Sequence, residues 1–320
     1  MNTIGILTSG GDAPGMNAAI RAITRVALAK GIKVMGIQRG YNGLINGEIF
    51  EMGRDSVSDI IQRGGTVLKT ARSEEFRTPE GREKAANMLR IFGIEGLIVL
   101  GGDGSFSGAQ LLSNEHGIKT IGIPCTIDND IAYTDFTIGF DTAINTVVEV
   151  INKLRDTSAS HERVSIIEVM GRRCGDIALH AGIAGGAECV IIPEMNFEFD
   201  SLCRSIIETK VLGKLHYIVV VAEGAGKAQD IAERIEKCTG VQARATVPGH
   251  IQRGGMPSAF DRLIATKFGA TAVEVLVEGK SQRVIGIKDS KIIDIDMNEA
   301  LSIKKTVDKD LYHLANNLSI

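Results

Sequence analysis

The sequence predicts an α/β protein made of two doubly wound, mostly parallel-sheet domains. Three observations lead there. Apolar runs of about five residues alternate with helical patterns almost throughout. Two of those runs open directly into glycine loops. There are also more strand–helix units than one sheet comfortably holds. A chain of 320 residues fits two domains, and 44% hydrophobic against 23% charged residues supplies large cores and argues against disorder.

Residues 3–8 read as a buried strand, followed by a glycine loop and a helix over 17–30. Ala19, Ile20, Ile23, Val26 and Ala27 give that helix a single apolar face at 3.6 spacing. The next strand is 33–38. Runs at 96–100, 120–123, 164–169, 189–192, 216–222 and 243–247 repeat the pattern. A helix over 141–155 carries Ile144, Val147, Val148, Ile151 and Leu154 in one stripe, which reads as core. The first domain is expected to end near Ile138, before this helix, although no Pro/Ser-rich linker marks the join.

A formal net charge of -3 gives no electrostatic reason to expect nucleic acid or an anionic membrane surface as partner. No apolar stretch is long enough to span a bilayer, and the first residues lack the regions of a signal peptide. The five cysteines (Cys125, Cys174, Cys189, Cys203, Cys238) are odd in number, widely spaced and contain no C-x-x-C pair. They read as reduced thiols of a cytoplasmic protein, with neither a disulfide framework nor a zinc site.

The chemistry concentrates where strands end. Pro124-Cys125-Thr126-Ile127-Asp128-Asn129-Asp130 sets two carboxylates and a hydroxyl after an apolar run. Asp128 and Asp130, two apart in extended backbone, point the same way. A polar turn uses the same residue types, so this segment alone leaves both readings open. Two glycine loops tip the balance. Thr8-Ser9-Gly10-Gly11-Asp12-Ala13-Pro14-Gly15 opens a helix whose first N–H groups suit a phosphate. Gly101-Gly102-Asp103-Gly104-Ser105 sets an acid where a magnesium ion on a nucleotide could bind. There is no P-loop signature, no dinucleotide spacing and no H-R-D motif, which disfavours P-loop NTPases, Rossmann dehydrogenases and protein kinases. Arg72, Arg163, Arg172 and His250-Ile251-Gln252-Arg253 supply cations near strand ends, as bidentate phosphate recognition requires.

Taken together, these motifs resemble the ATP-dependent 6-phosphofructokinases of the bacterial type, over essentially the whole chain. The resemblance rests on L-T-S-G-G-D-A-P-G-M-N-A at 7–18, R-G-G-T at 63–66, G-G-D-G-S at 101–105 and T-I-D-N-D at 126–130. It continues through T-I-G-F-D-T-A at 137–143, R-D-T-S-A-S-H at 155–161, E-V-M-G-R at 168–172 and G-H-I-Q-R-G-G at 249–255. It implies transfer of the ATP γ-phosphoryl group to the 1-hydroxyl of fructose 6-phosphate, in a homotetramer. The active site would lie in the cleft between an ATP-binding domain (1–138 plus 252–305) and a fructose 6-phosphate-binding domain (139–251 plus 306–320). By that resemblance Asp128 is the base, Thr126 and Arg172 surround the moving phosphoryl, Asp130 supports the site and Asp103 holds Mg2+. Gly11, Arg72, Ser73, Gly102, Asp103, Gly104 and Ser105 would contact ATP. Thr126, Ile127, Asp128, Met170, Gly171, Arg172, Glu223, His250, Ile251, Gln252 and Arg253 would contact the sugar phosphate. Arg163 and Arg244 would reach it from a neighbouring subunit.

The resemblance also implies an effector site for ADP or phosphoenolpyruvate at Arg21, Arg25, Arg54, Asp59, Arg155, Gly186, Glu188, Leu212, Lys214 and His216. Leu212 and Leu215 stand where lysine is frequent, so attenuated allosteric control is expected. Cys125 stands where the ATP enzymes usually have glycine and pyrophosphate-dependent relatives lysine; with Gly104 retained, ATP stays favoured. Pro248 replaces a common leucine just before the sugar-phosphate loop. The rival readings are a pyrophosphate-dependent phosphofructokinase, a related GGDG-type kinase, and a non-catalytic sugar-phosphate or nucleotide sensor on the same fold.

Overall fold

The computed structural model describes residues 1–214 and 216–318. The chain begins with β1 (Thr3–Thr8), α1 (Met16–Ala29), β2 (Lys33–Ile37), α2 (Gly40–Asn46) and β3 (Ile49–Glu51). It continues with α3 (Pro79–Ile91), β4 (Gly96–Gly101), α4 (Asp103–His116) and β5 (Lys119–Pro124). Next come α5 (Phe140–His161), β6 (Val164–Val169), α6 (Asp176–Ala184), β7 (Cys189–Ile191) and α7 (Phe199–Val211). After β8 (Tyr217–Ala222), α8 (Ala228–Thr239) and β9 (Ala243–Thr246), the chain forms α9 (Ala259–Val277), β10 (Arg283–Lys288), β11 (Lys291–Asp296), α10 (Met297–Ser302) and α11 (Lys309–Asn317). It folds into two compact units: residues 1–127, 131–142 and 253–305 make the first, and 128–130, 143–252 and the chain from Thr306 on make the second.

The sheet of the first unit runs β11-β10-β5-β4-β1-β2-β3, parallel except for the antiparallel edge strands β3 and β11. Its interior strands are apolar on both faces because both are covered. Leu7, Leu97 and Val99 pack with Phe106 and Leu112 of α4 and Leu89 of α3. Ile4 and Ile6 alternate to the opposite face and are fully buried. Each such side chain is worth about 1.5–3 kcal/mol. Helices α1 and α9 pack so closely that a Cβ on Gly269 would come within 2.8 Å of the Ala19 carbonyl oxygen.

The second unit holds a parallel sheet, β7-β8-β6-β9. Leu202 and Ile206 of α7 and Ile231 and Ile235 of α8 close one face over Val219 and Val221. The α5 stripe is core only in part: Val147 and Ile151 are fully buried while Ile144, Val148 and Leu154 are half-buried, and the helix continues to His161. Its polar last turn is anchored by the buried pair Ser158 Oγ and Ser165 Oγ.

Two sequence expectations are corrected here. No strand was expected over 283–296, yet β10 and β11 pair as a hairpin. Its two-residue turn, Asp289-Ser290 at φ 49° and 64°, has the required left-handed backbone without the glycine that usually announces it. The cysteines are not all thiols: Cys203 on α7 and Cys238 on α8 form a disulfide across 35 residues, with Cα atoms 6.4 Å apart. Sequence spacing hid the pair because only the packing of α7 beside α8 brings the two residues together. Cys125, Cys174 and Cys189 take no part in a disulfide. No helix among the described residues is long and apolar enough to cross a membrane.

Asp261 fastens α9 to the start of α5. Fully buried, it accepts hydrogen bonds from the Gly139 and Thr142 N–H groups (2.8 Å each) and from Thr142 Oγ1 (2.5 Å). Burial nevertheless pushes its carboxyl up from 3.8 to about 6. The folded protein thus keeps a proton between those values that the unfolded chain releases. This contribution is complete below the unfolded value and is lost as pH rises through about 6, by at most about 3 kcal/mol. Urea unfolding from pH 4 to pH 7 is therefore expected to show Asp261→Asn losing its stability deficit against the parent as pH rises. A deficit that grows with pH would contradict this.

Candidate active site

In the first unit, three loops leave the carboxyl ends of β1, β4 and β5, which are neighbours in the sheet. Open α/β sheets bind ligands at this edge. Backbone bonds lace the loops together. The Ser9 N–H donates to the Leu100 carbonyl (2.9 Å), Cys125 N–H to Gly101 (2.9 Å) and Ile138 N–H to Pro124 (3.0 Å). Gly101 is closed in, since a Cβ there would sit 2.5 Å from both the Ser9 oxygen and Ser105 Oγ. At Gly102 and Gly104 a Cβ would meet nothing within 4 Å. The open side of this loop is thus the N-terminal end of α4, where Asp103 is the exposed first residue. Ser105 is buried behind it, and its carbonyl accepts from Tyr41 Oη at 2.6 Å. Tyr41 stacks on Phe76 at 3.9 Å. Burial pushes the Tyr41 hydroxyl far above its usual range, so it remains a neutral donor.

Residues 63–72 are strapped across the first glycine loop. Asn17, buried at the start of α1, donates from Nδ2 to the Arg63 and Gly64 carbonyls (3.1 and 3.2 Å) and accepts from Val67 N–H (2.8 Å). Thr8 Oγ1 donates to the Lys69 carbonyl (2.8 Å), and Thr70 Oγ1 to that of Gly10 (2.7 Å). This holds Arg72, exposed, and Ser73 beside the loop, where Ser73 Oγ also accepts from Phe76 N–H (3.2 Å). Arg253 lies across Gly11, where a Cβ would come 2.6 Å from its Nη1. Cys125 is buried, and burial pushes its thiol well above the ordinary value. It fits as the small residue of a tight loop.

In the second unit, Asn129 takes φ 51° and donates from Nδ2 to Asp176 Oδ2 at 2.9 Å, both side chains buried. This pins the backbone between Asp128, half-buried, and Asp130, exposed. The end of β6 is shaped by Gly171 at φ +129°, where a Cβ would strike the Cys174 carbonyl at 2.4 Å. Arg172 follows it, exposed. Gln252, fully buried, accepts from Met170 N–H (3.1 Å) and donates to the Gly249 carbonyl (3.0 Å). It thereby ties the 170–172 turn to the 249–252 loop that exposes His250 and Ile251. Glu223 N–H donates to the Val169 carbonyl (2.8 Å), setting the end of β8 beside that of β6. Arg163 Nη2 donates to Thr157 Oγ1 (3.1 Å), and Arg244 pairs with Glu236 (3.3 Å).

A separate cluster gathers on buried Glu188. Lys214 Nζ lies 2.9 Å and Arg155 Nη1 3.8 Å from its Oε1, and Arg155 Nη1 is 3.4 Å from His216 Nε2. Arg155 Nη2 also donates to the Gly185 and Gly186 carbonyls (2.6 and 2.7 Å) after α6, where a cation complements the helix dipole. Arg21, Arg25, Arg54 and Asp59 belong to the first unit. Leu212 is strongly exposed, and Leu215 lies outside the described residues.

The profile of a family described as phosphofructokinase matches residues 3–276. The chain is 66% identical to a Clostridium tetani protein named ATP-dependent 6-phosphofructokinase, covering the whole of both chains. It is 65% identical to the protein of that name from Clostridium acetobutylicum, again over full length. The chain belongs to the phosphofructokinase family. Its fold is that of the family too: a solved phosphofructokinase from Saccharomyces cerevisiae superposes with TM-score 0.89 at 34% identity. That alignment covers all of this chain and 48% of the yeast one.

On this phosphofructokinase framework, most of the residues singled out by sequence fall into three groups. Gly11, Arg72, Ser73 and 102–105, with Thr126 and Ile127, lie on the first unit's strand-end loops. Asp128, Asp130, Met170, Gly171, Arg172, Glu223, His250, Ile251 and Gln252 gather at the ends of β6 and β8 and on the loops tied to them in the second unit. Arg155, Gly186, Glu188, Lys214 and His216 form the third group. Sequence reasoning missed the residues that position these: Asn17, Tyr41, Asp176 and Asp261. Two carried a signal: Asn17 as part of the 7–18 motif, and Asp261 as the end of an S-x-x-D pattern begun by the N-cap Ser258, whose Oγ accepts from Asp261 N–H (3.1 Å).

Proposed function

We propose that this protein transfers the ATP γ-phosphoryl group to the 1-hydroxyl of fructose 6-phosphate, giving fructose 1,6-bisphosphate and ADP. The observation that carries this reading is the full-length 66% identity to a protein named for that reaction. Asp128 takes the proton of the attacking hydroxyl. Thr126 and Arg172 hold the moving phosphoryl group, and Asp130 supports the pocket. Gly11, Arg72, Ser73, Gly102, Gly104 and Ser105 cradle ATP, and Met170, Glu223, His250 and Arg253 hold the sugar phosphate. Arg163 and Arg244 serve a neighbouring subunit of a cytoplasmic homotetramer, and the Glu188 cluster takes ADP or phosphoenolpyruvate.

One exposed carboxylate at Asp103, framed by glycines with open space beside them, suits Mg2+, which keeps waters and phosphate oxygens as its other ligands. Bound there with ATP, the ion would neutralise charge on the phosphates. The protein's own share is positioning and charge stabilisation, as phosphoryl transfer demands.

A coupled assay of fructose 6-phosphate with ATP and with pyrophosphate tests the donor. Turnover with Mg-ATP and only background with pyrophosphate is expected; comparable rates with pyrophosphate would overturn the reading. Arg253→Ala is expected to raise the fructose 6-phosphate KM by roughly 10–100-fold, since one charge-assisted contact is worth about 1.5–3 kcal/mol. Because Arg253 rests on Gly11, the decisive control is the ATP KM: an effect confined to ATP would reassign Arg253 to the nucleotide side.

A further inference from the structure

We propose that Cys203 and Cys238 form a reversible modification site, opened and closed by a low-molecular-weight thiol–disulfide couple, that controls how firmly α7 is held. Three observations in the second unit carry this. The disulfide joins neighbouring helices whose own apolar contacts, Leu202 and Ile206 against Ile231 and Ile235, are independent of it. The unit therefore stays folded when the bond opens.

The two bridged residues differ in exposure. Cys238 is exposed at the end of α8, while Cys203 is buried, which fixes the order of events. A thiolate RS⁻ attacks Cys238 Sγ, the Cys203–Cys238 bond breaks, and Cys203 leaves as a thiolate that takes up a proton. A second RS⁻ attacks the outer sulfur of the Cys238–SR mixed disulfide, forming RSSR and releasing Cys238, which is protonated in turn. Two RSH are oxidised to RSSR, and both electrons reside on the cysteine pair. Reversal uses RSSR as oxidant. The three cysteines outside the disulfide do not compete: Cys125 and Cys174 are buried, and burial pushes the Cys189 thiol up to about 12.

The third observation is where α7 leads. Two residues past Cys203, Ser205 Oγ lies 3.1 Å from Tyr217 Oη, whose hydroxyl donates to the Glu188 carbonyl (3.5 Å). At the end of α7, Lys214 N–H donates to the Thr209 carbonyl (3.0 Å) while its Nζ pairs with Glu188. The segment restrained by the disulfide is the one that presents Lys214 to Glu188.

The test equilibrates the full-length protein in glutathione buffers of varying reduced-to-oxidised ratio, then counts thiols under denaturing conditions and measures amide hydrogen exchange. Three thiols are expected in the oxidised form and five in the reduced form. Exchange over 203–214 is expected to speed up roughly tenfold on reduction, and Tm to fall by several degrees, while α9 is unaffected. Cys238→Ser, an exposed and mild change, should match the reduced protein without reductant. Five thiols at every ratio, or α7 exchange indifferent to reduction, would overturn the proposal.

Discussion

Asp128→Ser is expected to lower kcat by roughly 10²–10⁴-fold while leaving the fructose 6-phosphate KM little changed, the effect of removing a positioned base. The separation of the two constants follows from timing: in the proposed role the carboxylate is needed when the hydroxyl proton leaves, not when the sugar docks. Asp128 is suited to this because it is held rather than mobile. The adjacent Asn129 occupies a left-handed backbone that its bond to buried Asp176 maintains. Steady-state kinetics across a fructose 6-phosphate titration decide the matter. Near-normal kcat would remove Asp128 from its role, and a KM rise at intact kcat would make it a binding residue.

Gly224→Ala is expected to be the most damaging single methyl group near the site. Its Cβ would lie 2.1 Å from the Arg172 carbonyl oxygen and 2.7 Å from that carbonyl carbon, both backbone atoms that no rotamer change can clear. Gly224 N–H meanwhile donates to the Gly171 carbonyl (3.2 Å), so the turn after β8 and the turn after β6 are locked together. Relief requires one turn to shift by the better part of an ångström, a displacement that costs on the order of 10²-fold in a phosphoryl-transfer site. The expected result is a kcat/KM reduced by about that factor, together with a thermal midpoint lowered by a few degrees, as overpacking does. Alanine at Gly226, where the nearest atom would be 3.4 Å away, is the control that should leave both unchanged.

How much of this was readable from residues alone depended on whether identity or partnership carried the information. The interior strands were legible because burial on both faces makes them uninterrupted apolar runs; β6 begins and ends at the residues its sequence predicts. The glycine loops were legible because backbone approach and positive φ leave a residue signature, as at Gly10 and Gly15. The edge strands β3 and β11 were not, since each has one unpaired side and mixed polarity. The roles of Asn17 and Asp261 were hidden for a different reason. A polar residue near a helix start is ordinarily a cap or a solvated side chain, and only the partner, Gly64 for one and Gly139 for the other, makes it a clamp. Arg253 shows the converse: its identity pointed to phosphate, while its resting place on Gly11 could be seen only in three dimensions.

The hydroxyl of Tyr41 also gives the protein an optical handle. The chain contains no tryptophan and four tyrosines, so tyrosine emission is not drained by energy transfer to indole. Tyr41 is the one that hydrogen-bonds the Ser105 carbonyl behind the second glycine loop. A Tyr41→Phe difference spectrum would therefore isolate a native reporter on the loop proposed to receive the nucleotide, with no label attached.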